Sequence, residues 1–372
     1  MKFITKLFFL FIISSANAQT HQYLLIGTYT SGKSEGIYVY DFNTTNGDFS
    51  MVSKIKSSNP SYLAIAPNKK NVYAVYEDGN NQVGGSVAAF SFNKENGELT
   101  FINQQLSGGD HPCYVAIDKT GKWVTAGNYN GGSVTVFPIK TDGSIGTMAD
   151  KKQHEGTSVN KERQEKAHVH CTYFSPDNKF LFVPDLGMDK VMIYNFNAAN
   201  GKLTPGAQPF YKASPGSGPR HFDIHPNHKY AYLMEELSGT VVAFKYGNGH
   251  LTAIQTISSA PKDFTGGLGS ADIHVSPDGK FLYCSNRAES NSIAIFKINP
   301  ATGKLSIVGT ESTQGKTPRN FNFDPSGNFL LIANQNSDNI VIFKRDVNTG
   351  KLTPTGKQIE VGNPVCQKWI AK

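Results

Sequence analysis

His111, His168, His170, Arg220, Arg287, Arg319, Glu77 and Glu236 stand at matching offsets in a pattern that the 372-residue chain repeats seven times. One residue past the start of each repeated segment come Ser61, Cys113, His170, Arg220, Ala271, Arg319 and Val365. One residue before it come Asn59, His111, His168, Gly218, Gly269, Thr317 and Asn363, and seventeen past it come Glu77, Tyr129, Leu186, Glu236, Arg287 and Gln335. Such a set can move a proton and hold an anion. A water nucleophile needs a base, for which Glu236 or a histidine qualifies, and charge developing on a carbonyl oxygen needs positive or hydrogen-bonding groups around it. Arginine suits that oxygen, or a carboxylate or phosphate, because its fork of donors is planar and permanently charged. No Gly-x-Ser-x-Gly elbow supports a serine nucleophile. His168 and His170 alternate on a strand and could share a metal, but spacing fixes no third ligand. Neither a metal nor a cofactor is expected.

Each of these residues alone has a plainer role, such as capping a neighbouring backbone, or a structural ion pair between Glu236 and Arg287. Independent caps have no reason to gather on one rim, so the set points to one site.

The elements that position them are short strands. The repeated segments read PSYLAIAP from Pro60, PCYVAIDK from Pro112, VHCTYFSP from Val169, PRHFDIHP from Pro219, SADIHVSP from Ser270, PRNFNFDP from Pro318 and PVCQKWIAK from Pro364, at intervals of 46 to 57 residues. Each continues through a turn such as Asp278-Gly279-Lys280, an apolar strand, a second strand and a hairpin centred on a glycine. These glycines are Gly47, Gly97, Gly143, Gly201, Gly249, Gly303 and Gly350, seven again. Four short strands per unit and seven units predict an all-β, seven-bladed propeller. The last repeat has only its first strand, while the segment YLLIGTYTSGKSEGIYVYDFNTTNGDFS near the N-terminus has only the later ones. The two ends therefore share the closing blade, and no domain boundary falls within residues 19–372. The second strand runs back along the first, so the three columns meet at one mouth of the channel, the first two with the same side-chain parity. The charged stretch between Asp142 and Lys166 reads as a surface loop.

Residues 1–18 read as a signal peptide: Lys2 and Lys6 precede an apolar run from Leu7 to Ile13, and Ala16-Asn17-Ala18 fits a cleavage site before Gln19. The run is too short to span a bilayer, no later one is longer, and no cysteine follows the cleavage site to carry a lipid. A soluble, secreted or periplasmic product is expected. Loss of Lys2 and Lys6 takes the formal charge from +7 to +5, a mild excess without a basic run, which argues against nucleic acid and fits a small anionic ligand. Cys113, Cys171, Cys284 and Cys366 fall on different blades and read as isolated buried thiols.

The motifs GTYTSG at Gly27, NYNGGSV at Asn128, HVHCTYFSPD at His168, VPDLGMDKV at Val183, GPRHFDIHP at Gly218, EEL at Glu235, SPDGKFLYCSNR at Ser276 and PRNFNFDPSG at Pro318 resemble the lactonase-type seven-bladed propeller family. That family includes the bacterial propeller form of 6-phosphogluconolactonase and fungal carboxy-muconate lactonizing enzyme. The likeness covers nearly all of the chain after the signal. It implies a catalytic set of His168 or His170, Arg220, Glu236 and Arg287; Arg319, His111, Glu77, Tyr129 and Gln335, placed at the same mouth by the repeat columns, are expected to bind substrate. Glu235-Glu236 stands where the family has one acid, and Glu236 holds the repeat column. The implied activity is hydrolysis of a small anionic or polyhydroxylated lactone. The signal peptide favours an unphosphorylated or imported one over a cytoplasmic sugar phosphate. A lactone-forming cycloisomerase is the rival at the same site, and a non-catalytic exported binding propeller the rival of another class.

Overall fold

The computed structural model describes residues 20–79 and 84–372; the expected signal peptide, residues 1–18, lies outside the described residues. Seven four-stranded antiparallel sheets form a ring in which successive innermost strands touch, making the predicted seven-bladed propeller. Six blades are continuous in sequence. Their innermost strands include Pro112–Ile117 in the third blade, Pro219–Ile224 in the fifth, Ser270–Val275 in the sixth and Pro318–Phe323 in the seventh. Among the described residues no helix is long and apolar enough to cross a membrane, and the one helical turn is Gln335–Ser337.

The closing blade has the expected split composition. Pro364–Ala371 pairs with His21–Thr28, which is followed outward by Gly36–Asn43 and Phe49–Lys56. Alternation along His21–Thr28 explains the closure. Leu24 and Ile26 face one way and pack with Phe329, Leu331 and Ile340 of the seventh blade; Tyr23 and Leu25 face the other way and pack with Val72 and Val87 of the second. A strand apolar on both faces is stable only between two other sheets, and each fully buried Leu or Ile contributes about 1.5–3 kcal/mol. Outermost strands show the opposite pattern: Leu305–Ser312 is mostly exposed or half-exposed. The seven hairpin glycines all adopt positive φ. At Gly201 a Cβ would also meet the Trp123 ring at 2.3 Å, so the turn needs glycine for space as well as for conformation. All four cysteines are buried and free.

The stretch from Asp142 to Lys166 is more than a surface loop. It supplies the outermost strand of the third blade, Asp150–Gln153, then turns inward at His154, whose buried ring bonds Asp185 at 2.7 Å and the Tyr194 hydroxyl at 2.9 Å.

Candidate active site

Local backbone geometry decides which side chains reach the channel. In six of the seven repeats the residue before the strand start has a positive φ: Asn59 (39°), His111 (51°), Gly218 (70°), Gly269 (50°), Thr317 (61°) and Asn363 (43°). Glycine and asparagine enter this left-handed region most readily, which accounts for four of the six identities. The carbonyl of this residue then accepts the N–H of the residue just past the second strand. The pairs are Asn59 with Glu77 (3.0 Å), His111 with Tyr129 (2.9 Å), His168 with Leu186 (2.9 Å), Gly218 with Glu236 (2.7 Å), Thr317 with Gln335 (2.9 Å) and Asn363 with Tyr29 (3.1 Å). The column before the strand start is thus a set of backbone hooks. Simple alternation does not carry through a left-handed residue, so the two starting columns do not share a parity.

A second irregularity follows one residue on. Pro112 pairs with Asn128 and Tyr114 with Gly127, leaving Cys113 unpaired between them; Arg220 and Arg319 are skipped in the same way. Each is the extra residue of a β-bulge, and the bulge turns its side chain into the channel.

The result is a cavity of about 210 Å³ lined by Tyr29, Glu77, Cys113, Tyr129, Arg163, His170, Glu236, Arg287 and Arg319. Beneath it a void of about 10 Å³ touches His170, Arg220 and Arg319. The floor is closed by packed rings: Tyr62 stacks on Tyr114 at 4.0 Å, and His221 lies edge-on to Tyr114 at 5.4 Å and to His170 at 5.3 Å.

Only five residues of the chain are arginine, and four of them meet here. Three converge on Glu236. Arg220 donates from Nε to Oε2 at 2.8 Å, Arg163 from Nη2 to Oε1 at 2.7 Å, and Arg287 Nη2 lies 3.1 Å from Oε2. Arg220 and Arg287 are fixed further by the carbonyls of Ala271 and Gly269. Burial alone favours a neutral Glu236, but the charges of Arg287, Arg220 and Arg163 outweigh it and hold the carboxyl well below the usual carboxylate range. Burial pulls Arg287 down to about 10, which leaves it cationic at neutral pH. His170 is pushed well below the ordinary histidine range, first by burial and then by Arg220, His221 and Arg319, so its ring is neutral. Its Nδ1 lies 3.7 Å from Cys113 Sγ, and Nε2 has no hydrogen-bond partner among the described residues. Across the cavity, Tyr29 donates to Glu77 Oε2 at 2.8 Å and Ser61 donates to the same oxygen. Burial raises the Tyr29 phenol far above its usual range, so it remains a donor.

Of the residues singled out from sequence, Glu236, Arg287, His170, Arg319, Glu77 and Tyr129 come together around the cavity, with Arg220 directly below. His168, His111 and Gln335 are not among the lining residues. His168 stacks under Tyr129 at 4.4 Å and binds Glu165 at 3.2 Å. His111 accepts from Asn130 at 2.9 Å, and Gln335 begins the helical turn. Three lining residues were missed: Cys113, read only as a buried thiol although it shares the column of His170 and Arg319, and Tyr29 and Arg163. Tyr29 is the closing blade's counterpart of Glu77 and Tyr129, hidden because its strand comes from the other end of the chain; GTYTSG was the available signal. Arg163 comes from the segment between the strand Asp150–Gln153 and His168, which has no counterpart in the other blades. Among the described residues no three His, Cys, Asp or Glu side chains cluster as metal ligands.

The fold and cavity define a class: propellers with a charged, arginine-rich pocket at one mouth of the channel. The sequence matches the family described as "Lactonase, 7-bladed beta-propeller" over residues 23–369, and the chain belongs to that family. It is 40% identical to a 6-phosphogluconolactonase of Bacillus subtilis over 93% of this chain and 97% of the other, and 42% identical to one of Formosa agariphila over 91% and 96%. Among solved structures, the periplasmic gluconolactonase of Pseudomonas aeruginosa is 38% identical with a TM-score of 0.90, covering 94% of this chain and 99% of that one.

Proposed function

We propose that the protein is an exported lactonase, adding water across the ester bond of a small sugar-derived or related lactone after residues 1–18 are removed. The observation that carries the reading is the convergence of four of the five arginines with Glu77, Glu236 and His170 around a cavity sized for one small ring. Relatives named 6-phosphogluconolactonase and gluconolactonase support the reaction class, and the periplasmic relative supports export. Export in turn favours an unphosphorylated or imported lactone.

In this reading His170 takes the proton from water. It is neutral, it lines the cavity, and its Nε2 is unengaged. Glu236 suits that role poorly, because a carboxylate shared by three guanidiniums gains little by accepting a proton; it holds the arginines in place instead. A second candidate for the base is Glu77, favoured by one observation: both of its donors bond Oε2, leaving Oε1 without a donor among the described residues. His170→Asn and Glu77→Gln separate the two, the true base losing about 10²-fold or more in kcat.

The test of function is proton release by residues 19–372 on glucono-δ-lactone, 6-phosphogluconolactone and muconolactone, against the spontaneous rate. Acceleration of at least one is expected. Acceleration of none, with muconate converted to its lactone, would establish the lactone-forming reaction; inertness toward all four compounds would leave a binding propeller.

A further inference from the structure

Arg319 differs from every other arginine of the chain. Arg220, Arg287 and Arg163 bond Glu236, and Arg345, far from the cavity, is satisfied by Tyr283, Gly327 and Asp278. Arg319 alone has no hydrogen bond or ion pair among the described residues. Its guanidinium carbon lies over the face of the Tyr29 ring, 5.5 Å from the ring centre. Glu77, whose charge is felt by Arg319, spends Oε2 on bonds to Tyr29 and Ser61 and makes no ion pair with it. A cation with five unused donors and a stacking surface behind it is oriented and costs little to reorganise, the condition for stabilising charge that appears only during reaction.

Its position adds a direction. Arg319 and His170 both border the cavity and the void beneath it, so they share the floor. Arg163 stands at the rim, its side chain 42% exposed against 1% for Arg220 and 15% for Arg287.

We infer that Arg319 is the oxyanion-binding group, and that the lactone enters carbonyl-first, with its ring substituents left at the rim beside Arg163. The assignment rests on the lactonase reading. The water oxygen bonds to the carbonyl carbon as its proton passes to His170, and the carbonyl electron pair moves onto the oxygen facing Arg319. When the carbonyl reforms, the ring carbon–oxygen bond breaks and the proton on His170 goes to the departing ring oxygen. The open-chain acid then ionises.

Arg319→Met, Arg319→Lys and Arg163→Met are assayed on glucono-δ-lactone and 6-phosphogluconolactone, with melting curves for each. Arg319→Met is expected to lower kcat on both substrates by about 10²–10³-fold with KM little changed. Arg319→Lys retains charge but not the fork and falls between. Arg163→Met is expected to raise KM for the phosphorylated lactone by more than for glucono-δ-lactone. If Arg319→Met keeps its kcat, or loses only KM on the phosphorylated substrate, Arg319 reads a substituent or nothing and the assignment is overturned while the lactonase reading stands. Wild-type protein inert toward both of these lactones and toward muconolactone overturns the two together. Arg319 has no hydrogen bond or ion pair among the described residues for the methionine variant to break, and Arg319→Lys keeps the outcome decidable should that variant fold poorly.

Discussion

Arg163 Nη2 lies 2.7 Å from Glu236 Oε1 although 73 residues separate the two in sequence. A segment outside the propeller repeat thereby completes a carboxylate that already serves Arg220 and Arg287.

Glu236→Gln should consequently act on stability first. Removing the shared anion leaves buried arginines facing a neutral amide, a loss of about 3 kcal/mol, seen as a melting midpoint several degrees lower. KM should rise as the arginines lose their common anchor, while the acidic limb of the kcat–pH profile stays where it was. Disappearance of that limb in the variant would show that Glu236 itself exchanges the proton.

His170 also shapes stability against pH. Its folded pKa lies below the unfolded value near 6.5, and burial brings His221 down to about 4. Both rings stay neutral in the fold while the unfolded chain takes up protons below pH 6.5, so stability falls as pH drops from 6.5 toward 4. Denaturant titrations of His170→Asn should show a slope shallower by about 1.4 kcal/mol per pH unit over pH 6 to 5. A slope equal to that of the wild type would mean His170 is protonated in the fold.

His111 sits on a backbone hook at φ 51°, where the closing and second blades use Asn363 and Asn59. His111→Asn should therefore keep kcat/KM within about two-fold, since asparagine tolerates the same left-handed geometry. A loss of 10²-fold would place the imidazole in the chemistry.

Deleting residues 364–372 should open the ring. The deletion strips the partner strand from His21–Thr28 and leaves its buried backbone groups unpaired. Loss of the cooperative melt by circular dichroism is expected; an unchanged midpoint would show that the closing strand is dispensable.

Protein recovered from the periplasm or medium of its host should begin at or near Gln19 by mass spectrometry. Intact Met1 on a cytoplasmic form would restore the sugar phosphate as the natural substrate.

The ring and its closure were legible in the sequence because repetition reveals itself without coordinates: seven glycines and seven strand starts admit few other folds. Glu236, Arg220, Arg287 and Arg319 were legible for the same reason, each being one blade's departure from a common column. Reading failed where the repeat is interrupted or the backbone leaves the extended region. Arg163 lies in an insertion with no counterpart in the other blades. Tyr29 occupies the right column, but the spacing that would reveal it runs off the C-terminus at Lys372 and resumes at the start of the chain. His111 was grouped with Cys113 because alternation was assumed to hold through a left-handed residue. Of the ion pairs of Glu236 only the one with Arg287 was named from the sequence; Arg220 shares its blade, Arg287 comes from the next and Arg163 from the insertion, so no single column shows the four together.

Tyr29 is held at the cavity by the carbonyl of Asn363, and the strand that begins at Pro364 locks the blade carrying it. The pocket thus draws one wall from the beginning of the polypeptide and the clasp for that wall from its last residues. A chain terminated early contains nearly every residue of the site yet has no finished pocket, and a ribosome must release the whole molecule before any copy can turn over substrate. In the exported form proposed above, catalysis begins only after the closing strand has crossed the membrane and met the other end of the ring.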